Sequence, residues 1–241
     1  MALTTAVILA AGRGTRLGLD IPKGLLEVDG QRLVPRSIEM LRACGVQRII
    51  VVTGFAASHY ERALRSHRDV ILVHNPHVES GSLSSLQAAA DLIQCDFLLL
   101  ESDLVYEARA LSLLIAHAEP NVMLATPSPN AGDEVWLKTE GGLLRQLSKD
   151  PAAVGYPQAV LVGITKASRS LLDDLVAIAQ PEMEYEQALV TAPTEVWVEV
   201  TDVVWAEIDD AAQLDRVRGT VVPRLRQIGE WPCAARHQGL R

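Results

Sequence analysis

Aromatic residues make up only 4% of this 241-residue chain, and cysteine is scarcer still, with three. Cys44, Cys95 and Cys233 are odd in number, far apart in sequence and without metal-ligand spacing. That excludes a disulfide framework or a zinc cluster and leaves free thiols of a reducing compartment. No apolar run approaches the roughly 20 residues that a membrane span requires. No basic n-region leads a long apolar stretch, so no secretory leader is expected and the expected address is the cytoplasm. A basic surplus is also missing: 22 Lys and Arg face 30 Asp and Glu, for a net charge of −8. The electrostatic footprint of a nucleic-acid binder is therefore absent. An anionic ligand must be drawn in locally, by a few basic side chains and a bound cation.

What is present is an ordinary globular composition, 49% hydrophobic and 22% charged, long enough for one large α/β domain with a sizeable core. Short apolar runs alternate with helical patterns. Val7 to Leu9, Ile49 to Val52, Val70 to Val73 and Phe97 to Leu100 read as buried strands. Pro35 to Ala43, Ser58 to Ser66 and Leu83 to Ile93 read as the helices between them. Continuous apolar strands separated by helices predict a parallel sheet covered on both faces. After about Asn130 the pattern loosens. Glu134 to Lys138 and Leu143 to Leu147 predict an antiparallel pair around Gly141 and Gly142. Val160 to Ile164, Glu195 to Val200 and Val203 to Ile208 are strand-like, while Lys166 to Ala179, Glu184 to Val190 and Ala211 to Arg226 are helical. The reading is one domain over 1–228 and a loose tail over 229–241.

The sharpest motif is Leu9-Ala10-Ala11-Gly12-Arg13-Gly14-Thr15-Arg16-Leu17-Gly18, followed by Pro22-Lys23. A buried strand feeds a loop whose glycines permit a tight path and leave backbone N–H groups open to a phosphate chain. Arg13, Arg16 and Lys23 add positive charge against a nucleoside triphosphate. No Gly-Lys-Ser/Thr ends the loop, so it is not a Walker A motif, and the third glycine of a dinucleotide fingerprint is missing. Acidic residues follow two other strands, at Glu101-Ser102-Asp103 and Glu207-Ile208-Asp209-Asp210. Ligands of open α/β sheets bind beyond the carboxyl ends of strands. Mg²⁺ takes one or two carboxylates plus phosphate oxygens. Asp103 and Asp209 are the candidate metal pair, with a helix cap as the other reading of Asp209.

The loop with Pro22-Lys23 resembles the signature of nucleoside-diphosphate-sugar pyrophosphorylase-type nucleotidyltransferases. The resemblance implies an α/β, Rossmann-like three-layer nucleotidyltransferase fold, a mostly parallel sheet with a small mixed extension. It places the triphosphate on the first loop, with Leu9, Ala10, Ala11, Gly12, Gly14, Thr15 and Arg16 as nucleotide-binding residues, and makes Arg13 and Lys23 the catalytic pair that steadies charge on the α-phosphate and the leaving pyrophosphate. Asp103 and Asp209 match that family's metal-binding aspartates. A closer similarity runs to about residue 220. It rests on Glu101 to Leu104, Gly132 to Val135, Leu147 to Lys149, Leu161 to Lys166, Met183 to Leu189 and Glu207 to Asp209. These resemble the 2-aminoethylphosphonate cytidylyltransferases and, more weakly, the phosphocholine cytidylyltransferases. The resemblance implies CTP as donor, with Gly81, Ser82 and the backbone around Leu9 to Gly12 reading the cytosine, and a CMP-linked phosphonate as product.

The residues support a two-ended acceptor independently. Lys149 and a metal suit the phosphonate. Asp133, Glu134, Glu184 and Glu186 suit an ammonium with three hydrogen bonds to donate. Tyr185 lies among them, although choline would need a fuller aromatic cage than this chain offers. Acids at the start of a helix also complement its dipole, which is the other reading of Glu184 and Glu186. The expected reaction is in-line attack by a phosphonate oxygen on the α-phosphorus of CTP, with Mg²⁺ as the cofactor. No nucleic-acid or membrane partner is expected, and a homodimer is left open. Phosphocholine, another phosphonate or a sugar phosphate as acceptor, and a nucleotide-binding regulator without turnover, are the competing readings.

Overall fold

The protein is described here by a computed structural model covering residues 3–18, 20–127 and 134–232. The first half lays down β1 (Thr5–Ala10), a small antiparallel pair of β2 (Glu27–Val28) and β3 (Gln31–Arg32), then β4 (Arg48–Thr53), β5 (Val70–His74) and β6 (Phe97–Glu101). The second half adds β7 (Leu104–Tyr106), β8 (Val122–Thr126), β9 (Trp136–Glu140), β10 (Leu143–Ser148), β11 (Ala159–Ala167), β12 (Trp197–Val200) and β13 (Trp205–Glu207). Nine of these strands form one sheet in the order β5-β4-β1-β6-β11-β8-β12-β10-β9. The β5, β4, β1 and β6 strands are mutually parallel. The sheet then turns mixed, because β11 runs antiparallel to both β6 and β8. The mixed portion holds five of the nine strands, more than the small extension expected from sequence.

The apolar runs are continuous because both faces of the sheet are covered. In β1, Ala6, Ile8 and Ala10 face one core with Ile38, Leu41, Tyr60, Leu64, Leu111 and Leu114. Those partners sit on the helices Leu33–Ala43, Ala57–Leu64 and Arg109–Ala116. Val7 and Leu9 point the other way, into a core with Leu83, Leu86, Leu171, Leu175 and Leu189. These come from the helices Gly81–Ala89, Arg169–Ile178 and Tyr185–Thr191. The result is the three-layer α/β arrangement.

The strand expected over 203–208 is present but shorter, Trp205–Glu207. It does not join the main sheet. Trp205–Glu207 pairs with Leu104–Tyr106 in a separate two-stranded ribbon, Glu207 opposite Leu104. The start of the 229–241 segment also departs from a loose tail. Trp231 is buried in a third core with Val105, Ile208 and Leu225. The Arg36 guanidinium stacks 4.7 Å from its ring. No helix among the described residues is long and apolar enough to cross a membrane.

Candidate active site

A cavity of about 750 Å³ opens at the carboxyl end of the parallel strands. Its lining includes Leu9, Ala11, Gly12 and Gly14 from the first loop, Lys23, Gly81, Ser82, Asp103, Glu134, Lys149, Glu184 and Glu186. Most residues singled out in the sequence therefore meet in one place. Others do not reach it. Ala10 is buried in the core on the opposite face of β1. Arg13 is half exposed, ion-paired with Glu79 at 3.1 Å and set over the Phe55 ring. Tyr185 is fully buried behind the wall of the cavity. Asp133 and the side chain of Thr15 lie outside the described residues.

Gly14 explains how Lys23 enters the site. Its φ is +61°, and a methyl group there would lie 2.4 Å from Cγ of Lys23. The bare backbone lets the lysine stem pass over the loop. The Lys23 ammonium then donates to Asp103 at 3.1 Å and to Asp209. Arg16 holds the other oxygen of Asp209 at 2.6 Å. Asp209 is almost wholly buried, so two cations on its carboxylate offset the loss of water around the charge. The cap reading of this residue goes to its neighbour. Asp210, not Asp209, accepts from Gln213 N at 2.8 Å and starts the helix Ala211–Arg216.

The two aspartates are 106 positions apart, and the ribbon brings them together. Pairing of β7 with β13 sets Glu207 opposite Leu104, and Ile208 N donates to the Asp103 carbonyl at 3.1 Å. Asp209 is thereby delivered to the turn that carries Asp103. The same ladder brings in Glu207. One carboxylate oxygen from each of Glu101, Asp103 and Glu207 lies within 4.8 Å of the others. An all-oxygen donor set of this kind has the chemistry that Mg²⁺ prefers.

Glu101 and Glu207 were not singled out from sequence as site residues, although signals for both exist. Glu207 lies two residues before Asp209, on the same face of an extended segment. Glu101 is the last residue of β6, and its signal is a glycine elsewhere. Gly163 interrupts the apolar run of β11 at a register shift, with φ +81°. A methyl group there would lie 2.8 Å from Oε2 of Glu101. Glycine inside a strand marks a bulge or a close approach, and here it clears space for a carboxylate. Burial, then the charges of Glu207, Asp103 and Glu186, push the Glu101 carboxyl well above the usual range. Burial also raises Glu186, to about 7, with Glu184 adding to the effect and Lys149 opposing it.

Glu184 lines the cavity and also fills the helix-start role that was its other reading. Its carboxylate accepts from Ser82 N at 2.8 Å, while Ser82 Oγ accepts from Tyr185 N at 2.8 Å. It also forms a capping box with Gln187 at the start of its own helix. Glu184 therefore joins two helix N-termini, one under the Gly81-Ser82 loop and one beside Glu186.

A family model described as MobA-like NTP transferase domain matches residues 6–182. A CMP-5'-(3-aminopropyl)phosphonate synthase of Streptomyces rubellomurinus is 27% identical over 234 residues, 85% of this chain and 37% of its own. A 2-aminoethylphosphonate cytidylyltransferase of Lancefieldella rimae is 36% identical over 107 residues, 42% of this chain and 44% of its own. The chain thus spans less than half the length of these curated relatives. The solved inositol-1-phosphate CTP transferase from T. maritima superposes with a TM-score of 0.79 at 19% identity, covering 92% of this chain and 98% of that one.

Proposed function

The chain belongs to the family of MobA-like NTP transferase domains, and on that premise we propose that it is a cytidylyltransferase that moves CMP from CTP to a small aminophosphonate and releases pyrophosphate. The observation that carries this reading is the meeting of Lys23 with Asp103 and Asp209 beside the glycine loop. A polyphosphate binder needs a cationic side chain and an oxygen-ligand metal site within reach of one phosphate chain. Here both lie against the loop that ends β1.

CTP would rest its phosphates on the backbone of Gly12 to Gly14 and its base near Gly81 and Ser82. Lys23 and Arg16 would turn from Asp209 to the phosphates, and Arg13 would exchange Glu79 for them. Asp103 and Asp209, with Glu207 close by, fit a Mg²⁺ ion, which supplies charge neutralisation at the reacting phosphorus groups. A phosphonate oxygen is already an anion, so no general base is required. Catalysis rests on positioning and charge stabilisation. The exposed Lys149, electrostatically linked to Glu186 across the cavity, suits the phosphonate end of the acceptor. Glu134 and Glu186 suit its amine.

The names of the two phosphonate-directed relatives support this acceptor class, and the inositol phosphate enzyme supplies the rival class. The test is incubation with CTP and Mg²⁺ and a panel of acceptors, read by mass spectrometry of the nucleotide product. The panel holds 2-aminoethylphosphonate, 2-hydroxyethylphosphonate, phosphocholine, inositol 1-phosphate and a sugar 1-phosphate. A CMP adduct formed fastest with the aminophosphonate is expected. Preference for a polyol or sugar phosphate would overturn the acceptor assignment. Tight CTP binding without product from any acceptor would overturn the enzymatic one.

A further inference from the structure

Three carboxylates of the site hang on the β7–β13 ribbon. Asp103 immediately precedes β7, Glu207 ends β13 and Asp209 follows two residues later. The ribbon alone cannot hold them in place. It has two strands of three residues, outside the nine-stranded sheet, and a lone two-stranded hairpin is marginal in water. Its position must come from what packs on it. On one side Leu104, Tyr106 and Trp205 enter the core shared with Ala6 and Ile8. On the other, Val105, Ala206 and Ile208 enter the core that includes Trp231. Trp231 arrives on a short strap after the helix Val222–Gln227. Glu230 N donates to the Leu225 carbonyl at 2.8 Å, and the Glu230 carboxylate accepts from Ala108 N, two residues beyond β7, at 2.6 Å. Arg36, on the helix Leu33–Ala43, lies 4.7 Å from the Trp231 ring and 5.7 Å from the Tyr106 ring. Its guanidinium donates to the Tyr106 carbonyl at 2.8 Å and to the Glu230 carbonyl at 3.4 Å.

The charge is expensive there. Arg36 is 7% exposed, no carboxylate among the described residues lies within ion-pair distance of it, and Nη1 has no hydrogen-bond partner. An apolar side chain of similar volume would fill the space without that cost, since replacing a buried charge in this way is often neutral or stabilising. What an apolar side chain cannot do is grip the end of β7 and the strap at once. Resting on the metal site of the function proposed above, we propose that Arg36 and Trp231 are positioning residues, which clamp the strap against the ribbon and so fix the spacing of Asp103, Glu207 and Asp209. Neither lines the cavity. They act through the ribbon: Ile208 N, which ties β13 to the Asp103 carbonyl, belongs to a residue packed in the same core as Trp231. Mg²⁺ demands near-octahedral geometry, so carboxylates that drift apart bind it poorly.

The experiment compares wild type with Arg36→Met, Trp231→Phe and Leu175→Ala, the last a cavity variant in the core on the other face of the sheet. Mn²⁺, which takes the same oxygen ligands as Mg²⁺, is titrated into protein without nucleotide and followed by electron paramagnetic resonance. Its dissociation constant should rise about tenfold or more in Arg36→Met, and severalfold in Trp231→Phe, which keeps one ring. It should keep the wild-type value in Leu175→Ala. Melting temperatures should run the other way, with Arg36→Met close to wild type and Leu175→Ala well below it. A merely structural role would make the two orders agree. An unchanged Mn²⁺ affinity in folded Arg36→Met, or an equal loss in Leu175→Ala, overturns the proposal. If Arg36→Met does not fold, the affinity of Trp231→Phe decides in the same way. If wild type binds no Mn²⁺, the metal reading itself fails, and amide hydrogen exchange then decides whether the clamp exists. The N–H groups of Glu107 and Ile208, bonded to the Val204 and Asp103 carbonyls across the ribbon, should exchange about tenfold faster in the clamp variants while the amides of β1 keep their rates. Equal rates at Glu107 and Ile208 in wild type and variants overturn it.

Discussion

Lys23 serves two masters. In this structure it neutralises Asp103 and the buried Asp209, and in the proposed reaction it stabilises charge on the departing pyrophosphate. Removing it separates these roles. Lys23→Ala should lower kcat a hundredfold or more, about 3 kcal/mol of barrier. The same variant should bind divalent ions more tightly without nucleotide, because a cation has left the aspartates. Pyrophosphate release and calorimetric Mg²⁺ titration read the two effects, and near-normal turnover would sink the catalytic role. Glu186 gives a prediction in pH. Its folded pKa, about 7, stands above the unfolded value of 4.5. The folded protein therefore holds the proton more tightly, and stability falls as pH rises between those two values. Glu186→Gln should melt close to wild type at pH 5 and should be more stable than wild type at pH 8, by on the order of 1 to 3 kcal/mol. The same stability difference at both pH values would contradict this. At this scale the sequence displayed Lys23, Asp103 and Asp209 through motif position. It did not display Glu101, whose setting depends on a glycine 62 residues away in a bulged strand.

Between elements, a close junction joins the start of the helix Gly81–Ala89 to the start of the helix Tyr185–Thr191. Leu83 N donates to the Met183 carbonyl at 3.2 Å, in addition to the Ser82, Glu184 and Tyr185 bonds. Gly81 has φ +56°, and a methyl group there would lie 2.3 Å from the Met183 carbonyl oxygen, a backbone atom that cannot swing aside. Gly81→Ala should cost about 2 kcal/mol or more. Because the junction lies under both ends of the cavity, it should also raise the KM for CTP and for acceptor together. Glu184→Ala, which removes only the cap, should cost about 1 kcal/mol, and Glu184→Gln should recover most of it. Thermal denaturation checks the order of these losses, and a Gly81→Ala protein as stable as wild type would show that the junction yields. The elements themselves were largely legible, since β1, β4, β5 and β6 are short apolar runs set between helical patterns. The β7–β13 ribbon was not. Three-residue strands carry no periodicity, and a ladder between residues 104 and 207 has no local signature.

Across the whole molecule, the parallel half holds the proposed nucleotide end and the mixed half holds the acceptor end, with β6 and β11 as the seam. A chain of 241 residues is long enough to unfold in steps. The seam argues against that. Phe97 to Leu100 pair with Ala167 to Ile164, and Leu98, Leu100, Val160, Val162 and Ile164 share one core with Ala6 and Ile8. Pulling the halves apart would expose a central strand on each side and divide that core, at roughly 25 cal/mol for each Å² of apolar surface uncovered. The tryptophans make this testable without labels. Trp136, Trp197, Trp205 and Trp231 all lie beyond residue 130, so fluorescence follows the mixed half, the C-terminal core and, through Trp205 against Ala6 and Ile8 and Trp231 against Leu33, their contact with the parallel half, while far-UV circular dichroism follows the helices of both halves. Urea midpoints from the two probes should coincide. CTP with Mg²⁺ at a hundredfold excess over Kd should move both together, by about 2.7 kcal/mol. A dichroism transition with no fluorescence counterpart, or a ligand shift seen by one probe alone, would mean that the nucleotide half folds and binds as a unit of its own.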